Sequence, residues 1–175
     1  MKKIIMAVVC AILFSATAFA QQGRMAAGVN LGFAPCLEDN VDVTNFQLGG
    51  KFQYNVTDPV RLEAALNYGF EDNHISVLDF GFNVHYIFNL AEKFSIYPLA
   101  GFGIAHSKVS FDLGDFDDDY EGVSVSKSEN DFMFNIGLGC DYDINEKFTA
   151  NFEFKYQYIK DFNRMPITVG LAYKF

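Results

Sequence analysis

No stretch of this chain is long and apolar enough to cross a bilayer as a helix, which takes about 20 consecutive apolar residues. The longest run, Ile4 to Phe14, falls short, and nothing later approaches it. Any membrane span must therefore be built from strands. Helical periodicity is missing as well, although 50% of the residues are apolar, a combination unusual in a soluble domain and natural in a barrel whose outside faces lipid. Basic residues are few, 13 against 22 acidic ones, which excludes nucleic acid as a partner. Cysteine is scarce: Cys10 lies near the N-terminus with no lipoprotein-type processing site after it. Cys36 and Cys140 fall toward opposite ends of the strand layout below, whereas a disulfide needs Cα atoms within about 7 Å. Two free thiols are expected. Tryptophan is absent, so the 9 tyrosines and 20 phenylalanines must supply any interfacial girdle.

What is present begins with Met1-Lys2-Lys3, the apolar run, and Ala18-Phe19-Ala20. Charged, apolar and small residues in that order make a secretory signal peptide. Residues 1–20 are expected to be removed by cleavage after Ala20, with Ala18 and Ala20 as the small residues of the cleavage site. Residues 21–175 then form one domain. Taking Lys2 and Lys3 from the 13 basic residues leaves 11 against 22 acidic ones, a net charge of −11.

Three short segments separate alternating runs: Tyr54 to Val60, Phe88 to Phe94 and Tyr142 to Phe148. They read as equivalent hairpin turns, with Asn, Asp and Pro supplying turn geometry and flanking aromatics at headgroup level. At the other strand ends lie longer, variable connections: Ala34 to Thr44, Glu71 to His74, Lys108 to Asp131, and Lys160 to Arg164. Short turns on one side and long loops on the other are the asymmetry of outer-membrane barrels, whose long loops lie outside the cell. Strands are expected near 25–33, 45–56, 60–70, 75–88, 94–107, 132–142, 148–159 and 166–175.

Along these strands one parity is apolar and largely aromatic, for example Phe46, Leu48, Phe52 and Tyr54, or Phe152, Phe154, Tyr156 and Tyr158. The other parity carries Asn, Gln, glycine and the charged residues Lys51, Arg61, Glu63, Asp79, Asp141, Glu153, Lys155 and Lys174, with His85. The fifth strand is ambiguous, because Ile96, Ala100, Phe102 and Ile104 alternate with Tyr97, Leu99, Gly101 and Gly103. A basic side chain at the bilayer midplane costs about 2–4 kcal/mol, so turning the charged parity outward would cost on the order of 10 kcal/mol. The aromatic parity must face lipid. The four cations and four anions inside can pair, which makes Lys51, Arg61, Glu63, Asp79, His85, Asp141, Glu153, Lys155 and Lys174 the expected interior polar network. The interior glycines leave room for water.

The last eight residues, Thr168 to Phe175, alternate and end on an aromatic. Their order is a polar residue, any residue, glycine, two of any kind, an aromatic, any residue and a final aromatic, with Thr168, Gly170, Tyr173 and Phe175 at the defined positions. With the alternation and the turn asymmetry, this ending resembles the family of small eight-stranded outer-membrane barrels of Gram-negative bacteria, the group that includes OmpX, the membrane domain of OmpA and the opacity-type proteins. The resemblance covers about Met25 to Phe175. It implies an all-β, eight-stranded antiparallel up-and-down transmembrane β-barrel in the outer membrane, surrounded by outer-membrane lipids and lipopolysaccharide. It further implies delivery by periplasmic chaperones and recognition of the last strand by the barrel assembly machinery, with Tyr173 and Phe175 as anchors.

Specific chemistry is thinly signalled. Asp112, Asp115, Asp117, Asp118, Asp119 and Glu121 crowd the longest loop, and Asp115, Asp117 and Asp119 copy the first three ligand spacings of an EF-hand. Tyr120 stands where the turn glycine belongs and Ser126 where the bidentate glutamate belongs, so a solvated acidic loop is the better reading and no metal is expected. Barrel enzymes acting on lipids need a histidine beside a serine hydroxyl. Only His106-Ser107 offers this, and adjacent strand residues point to opposite faces. His74 falls in a loop, and His85 belongs to the interior. No catalytic residue and no cofactor is assigned. The leading expectation is a nonenzymatic barrel with a structural or surface-interaction role, a plugged interior and displayed loops, with an unidentified extracellular partner. The alternatives are a narrow channel, a lipid-modifying enzyme and a soluble lipocalin-like barrel with an apolar inside.

Overall fold

A computed structural model describes residues 23–37, 43–72, 74–112, 124–160 and 162–175. Eight long strands form the wall: β1 (Met25–Pro35), β2 (Thr44–Asn55), β3 (Val60–Asp72), β4 (Ile75–Tyr86), β6 (Phe94–Asp112), β7 (Ser124–Asp143), β8 (Phe148–Ile159) and β10 (Ile167–Lys174). Two short ones, β5 (Phe88–Ala91) and β9 (Phe162–Arg164), pair with β6 and β8 respectively. Every ladder is antiparallel, and β1 pairs β10 from Ala26↔Lys174 to Phe33↔Ile167. The sheet thereby closes on itself as an eight-stranded barrel.

Side-chain period two then decides inside from outside. Phe46, Leu48, Phe52 and Tyr54 are exposed, while Asn45, Gln47, Lys51 and Gln53 are buried. From Phe46 to Val56 are ten steps of ~3.4 Å, which at a strand tilt of ~40° give an apolar band about 26 Å high. This is the reverse of a lipocalin-like arrangement. The ambiguous strand is resolved in the same way: Ile96, Phe102 and Ile104 face out, and Tyr97 and Leu99 are buried inside.

Two expectations need correcting. Residues 108–112 and 124–131, read as part of a loop, belong to strands: β6 and β7 stay paired from Ala105↔Asp131 to Asp112↔Ser124. Polar residues occupy both parities from Ser126 to Asp131, so the apolar/polar alternation that identifies a strand in sequence is lost there. Only two of the three short turns are alike. Val56 and Ile144 each donate N–H to the carbonyl four residues on, at 2.9 and 3.0 Å, whereas β5 reaches β6 through a register shift between Asn89 and Ala91.

The inward glycines serve neighbouring side chains. A Cβ on Gly139 would strike the Tyr97 ring, one on Gly49 would strike the side-chain oxygens of Asn67 and Asn30, and one on Gly103 would meet Met133 Cε at 2.8 Å. At these places the room expected for water holds a tyrosine, two asparagines and a methionine. Gly139→Ala is therefore expected to lower stability by about 1–3 kcal/mol through overpacking, and the cost should shrink when Tyr97 is also replaced by alanine. Urea titration in lipid vesicles, read as the gel-mobility difference between unboiled and boiled samples, measures both.

Candidate functional site

The lumen concentrates the polar side chains, and they meet across it. Near the short-turn end Arg61 of β3 donates from Nη1 to Asp141 Oδ2 of β7 at 2.6 Å. Its Nε and Nη2 lie 3.2 and 3.0 Å from His85 Nδ1. The guanidinium carbon sits 4.6 Å from the Tyr97 ring centroid, and that ring stacks on His85 at 4.6 Å and 7°. At mid-height Glu153 Oε1 of β8 accepts from Tyr97 Oη at 3.0 Å and from Lys51 Nζ at 2.9 Å, and its Oε2 forms an ion pair with Lys155 Nζ at 3.1 Å. Lys51 also donates to Asn151 Oδ1 at 2.8 Å. Glu63 accepts from Gln53 at 2.8 Å and from Asn83 at 3.1 Å. Toward the long-loop end Asp79 accepts from Asn67 and from Arg164, both at 2.8 Å, and Arg164 also reaches Gln157 Oε1 at 2.7 Å.

Eight of the nine residues expected in the interior network, Lys51, Arg61, Glu63, Asp79, His85, Asp141, Glu153 and Lys155, are buried there. The ninth, Lys174, stands at the short-turn rim, paired to Asp143 at 2.8 Å with its side chain 19% exposed. Arg164 takes the fourth cation's place. From sequence alone Arg164 falls in a loop and Tyr97 on an undecided parity; the only hint of either is charge balance and strand phase. The Lys51–Glu153 and Arg61–Asp141 pairs join walls that are not neighbours in the ring, β2 to β8 and β3 to β7, so each braces the barrel across its width. Desolvated ions persist only when paired in this way.

Glu63, His85 and Glu153 hold ligand atoms within 4.8 Å of one another, as a metal site would. Their bonding does not fit one. Arginine has only donors, so its two contacts make His85 Nδ1 the acceptor and leave the ring proton on Nε2. That nitrogen, 3.7 Å from Glu63 Oε1, offers no lone pair, and both carboxylates already face lysine ammoniums.

At the short-turn end the lumen opens as a pit of about 280 Å³, lined by Arg61, Asp141, Gln53, Asn55, Asn151 and Lys174 among others. Toward the long-loop end Val77, Ala105, Met133 and Ile159 form an apolar cluster inside the wall, each no more than 1% exposed. Charge is segregated along the axis. The lumen holds four cations (with Arg164) and four anions. The short-turn rim carries Arg24, Lys93, Lys147 and Lys174 against Asp58, Glu92, Asp143 and Glu146. The remaining three basic and 14 acidic residues of positions 21–175 belong to the long connections and the strand ends leading into them.

The other sequence candidates are scattered. His74 sits in the β3–β4 turn with φ 68°. His106 Nδ1 lies 2.8 Å from Asn130 Oδ1, and Ser107, next in the strand, points to the opposite face. Cys36 and Cys140 are free thiols. Thr168 is buried inside, Gly170 lies against Asn151, and Tyr173 and Phe175 face outward at 41% and 62% exposure. Ala18, Ala20, Asp115, Asp117 and Asp119 lie outside the described residues.

The family model of the outer membrane protein beta-barrel domain matches residues 6–175. Neisserial surface protein A superposes with a TM-score of 0.71 at 14% identity, over 88% of this chain and 100% of that one. The attachment invasion locus protein Ail of Yersinia pestis gives 0.61 at 18%, over 88% and 99%, and is also known in complex with the heparin analogue sucrose octasulfate. A major outer membrane protein from Thermus thermophilus gives 0.68 at 10%, over 87% and 99%. No curated protein matches the chain. At such identities the structural likeness is one of fold.

Glu153→Ala leaves Lys51 and Lys155 without their shared carboxylate and is expected to cost about 3–5 kcal/mol. Lys174→Ala at the solvated rim should cost under about 1 kcal/mol. Urea titration in vesicles with the same mobility readout checks the contrast.

Proposed function

The chain belongs to the outer membrane protein beta-barrel family, an integral component of the Gram-negative outer membrane, and from that premise we propose a nonenzymatic, plugged barrel that displays its long-loop end outside the cell for surface interaction. One observation carries the display role. The β6–β7 ribbon runs on past its neighbours: β4 stops pairing at Ile75↔Val109, and β8 pairs β7 only from Met133↔Ile159. Residues 124–132 thus offer a strand edge that no other described strand covers. A projecting edge on a rigid wall is where such a scaffold places recognition.

The ends differ in what they attract. With all of the net charge of −11 at the long-loop end, a sulfated polyanion such as the one bound by Ail meets like charge here, so a cationic or neutral partner fits better. The enzymatic reading loses its one sequence-adjacent pair, since His106 turns away from Ser107.

Support for the plug comes from the paired, neutral lumen and from the Val77, Ala105, Met133 and Ile159 cluster, because eight strands enclose a space that side chains can fill. Planar bilayers containing the purified protein should show no stepwise conductance; regular single-channel steps would establish the narrow channel instead. For display, trypsin added to intact cells should cut at Lys108 or Lys127 and spare Lys93 and Lys147. Cleavage at the latter pair alone would reverse the orientation.

A further inference from the structure

The apolar outer face does not stop where the strands end at the short-turn side. In β2 the outward series continues through Tyr54 to Val56, along β4 and β5 through Tyr86 and Phe88 to Leu90, and in β7 through Tyr142 to Ile144. These three tips are 39%, 61% and 49% exposed. Two different local geometries deliver the same result. Val56 and Ile144 occupy equivalent turns, where Thr57 Oγ1 accepts the Val60 N–H at 3.2 Å and Asn145 Oδ1 accepts the Phe148 N–H at 2.9 Å. Leu90 is instead the extra residue of the β5 register shift, left out of the ladder between Asn89↔Ser95 and Ala91↔Phe94.

A turn standing in free water favours glycine, asparagine, aspartate or serine, and here each turn gives one exposed position to a branched aliphatic residue. At the opposite end the outward positions of β2, β4, β6 and β7 and the residue after β8 are polar, Thr44, Ser76, Lys108, Ser128 and Lys160, while Leu37 beyond β1 is an exposed aliphatic. Just past the aliphatic tips come Glu92-Lys93 and Glu146-Lys147, neighbouring charges of opposite sign.

We propose that Val56, Leu90 and Ile144 seat the short-turn end in the acyl–headgroup boundary of the adjacent leaflet, with Glu92, Lys93, Glu146 and Lys147 meeting the ammonium and phosphate groups of zwitterionic phospholipid. The occupant follows from continuity: the tips extend the belt that lipid already covers, in phase with it. The mouth of the pit then lies at headgroup level, and the barrel projects from one side of the membrane only. This rests on the bilayer location of the barrel and not on which end faces outward.

Full-length protein carrying Cys10→Ser, Cys36→Ser and Cys140→Ser, with Val56→Cys, Leu90→Cys, Ile144→Cys or Lys108→Cys introduced singly, is labelled with an environment-sensitive fluorophore and placed in phosphatidylcholine nanodiscs, which expose both faces to solvent. Heat-modifiable mobility confirms that each variant is folded. Labels at 56, 90 and 144 should show blue-shifted emission, quenching by acyl-brominated lipid and loss of iodide quenching, with the reverse at 108. Iodide quenching at the three tips equal to that at 108 overturns the proposal.

Discussion

Closure of the backbone hydrogen-bond ring is the constraint on which the rest depends. In hydrocarbon every unpaired N–H or C=O costs several kcal/mol, and the β1–β10 ladder, extended by the Met25–Phe175 backbone pair, removes the seam where such groups would face lipid. A closed ring has no slack. Once one strand's phase is set, each neighbour inherits it, and a slip of one residue would turn a polar row such as Arg61, Glu63 and Asn67 onto the acyl chains.

Closure also creates the lumen's problem. Eight walls leave too little space for bulk water and too much for an empty core, and the polar parity has to fill it. The structure does so with long side chains laid over glycines. Tyr97 over Gly139 is the clearest instance: the ring needs that gap to reach Glu153, His85 and Arg61 together. Removing the gap would unseat the aromatic at the centre of the ionic cluster. Arg61 in turn dictates the His85 tautomer, so packing, hydrogen bonding and chemistry at mid-lumen form one coupled set. That coupling explains why three potential metal ligands stand close together without being arranged to hold a cation.

Outside the lumen the two ends follow different solvents. At the short-turn end charge cancels and aliphatic residues ride on the turns; at the long-loop end the acidic excess accumulates and the β6–β7 ribbon leaves the wall. One end is shaped by lipid and the other by water.

Alternation by itself determined the fold class, the lipid-facing rows and most of the lumen, because period two is written residue by residue and the cost of misplacing a charge is large at every step. Phe46 against Gln47 or Phe152 against Glu153 needs no partner to be interpreted. Where both parities are small or apolar, as in Tyr97 to Gly103, the local signal vanishes and only pairing with β4 and β7 set the phase. Residues 124–131 looked like part of a loop because polar residues on both parities leave no alternation to read. Arg164 in place of Lys174, the stack of Tyr97 on His85, and the cross-lumen pair of Lys51 with Glu153 were decided by tertiary structure alone, the last because strands about 100 residues apart in sequence meet only after the ring has closed.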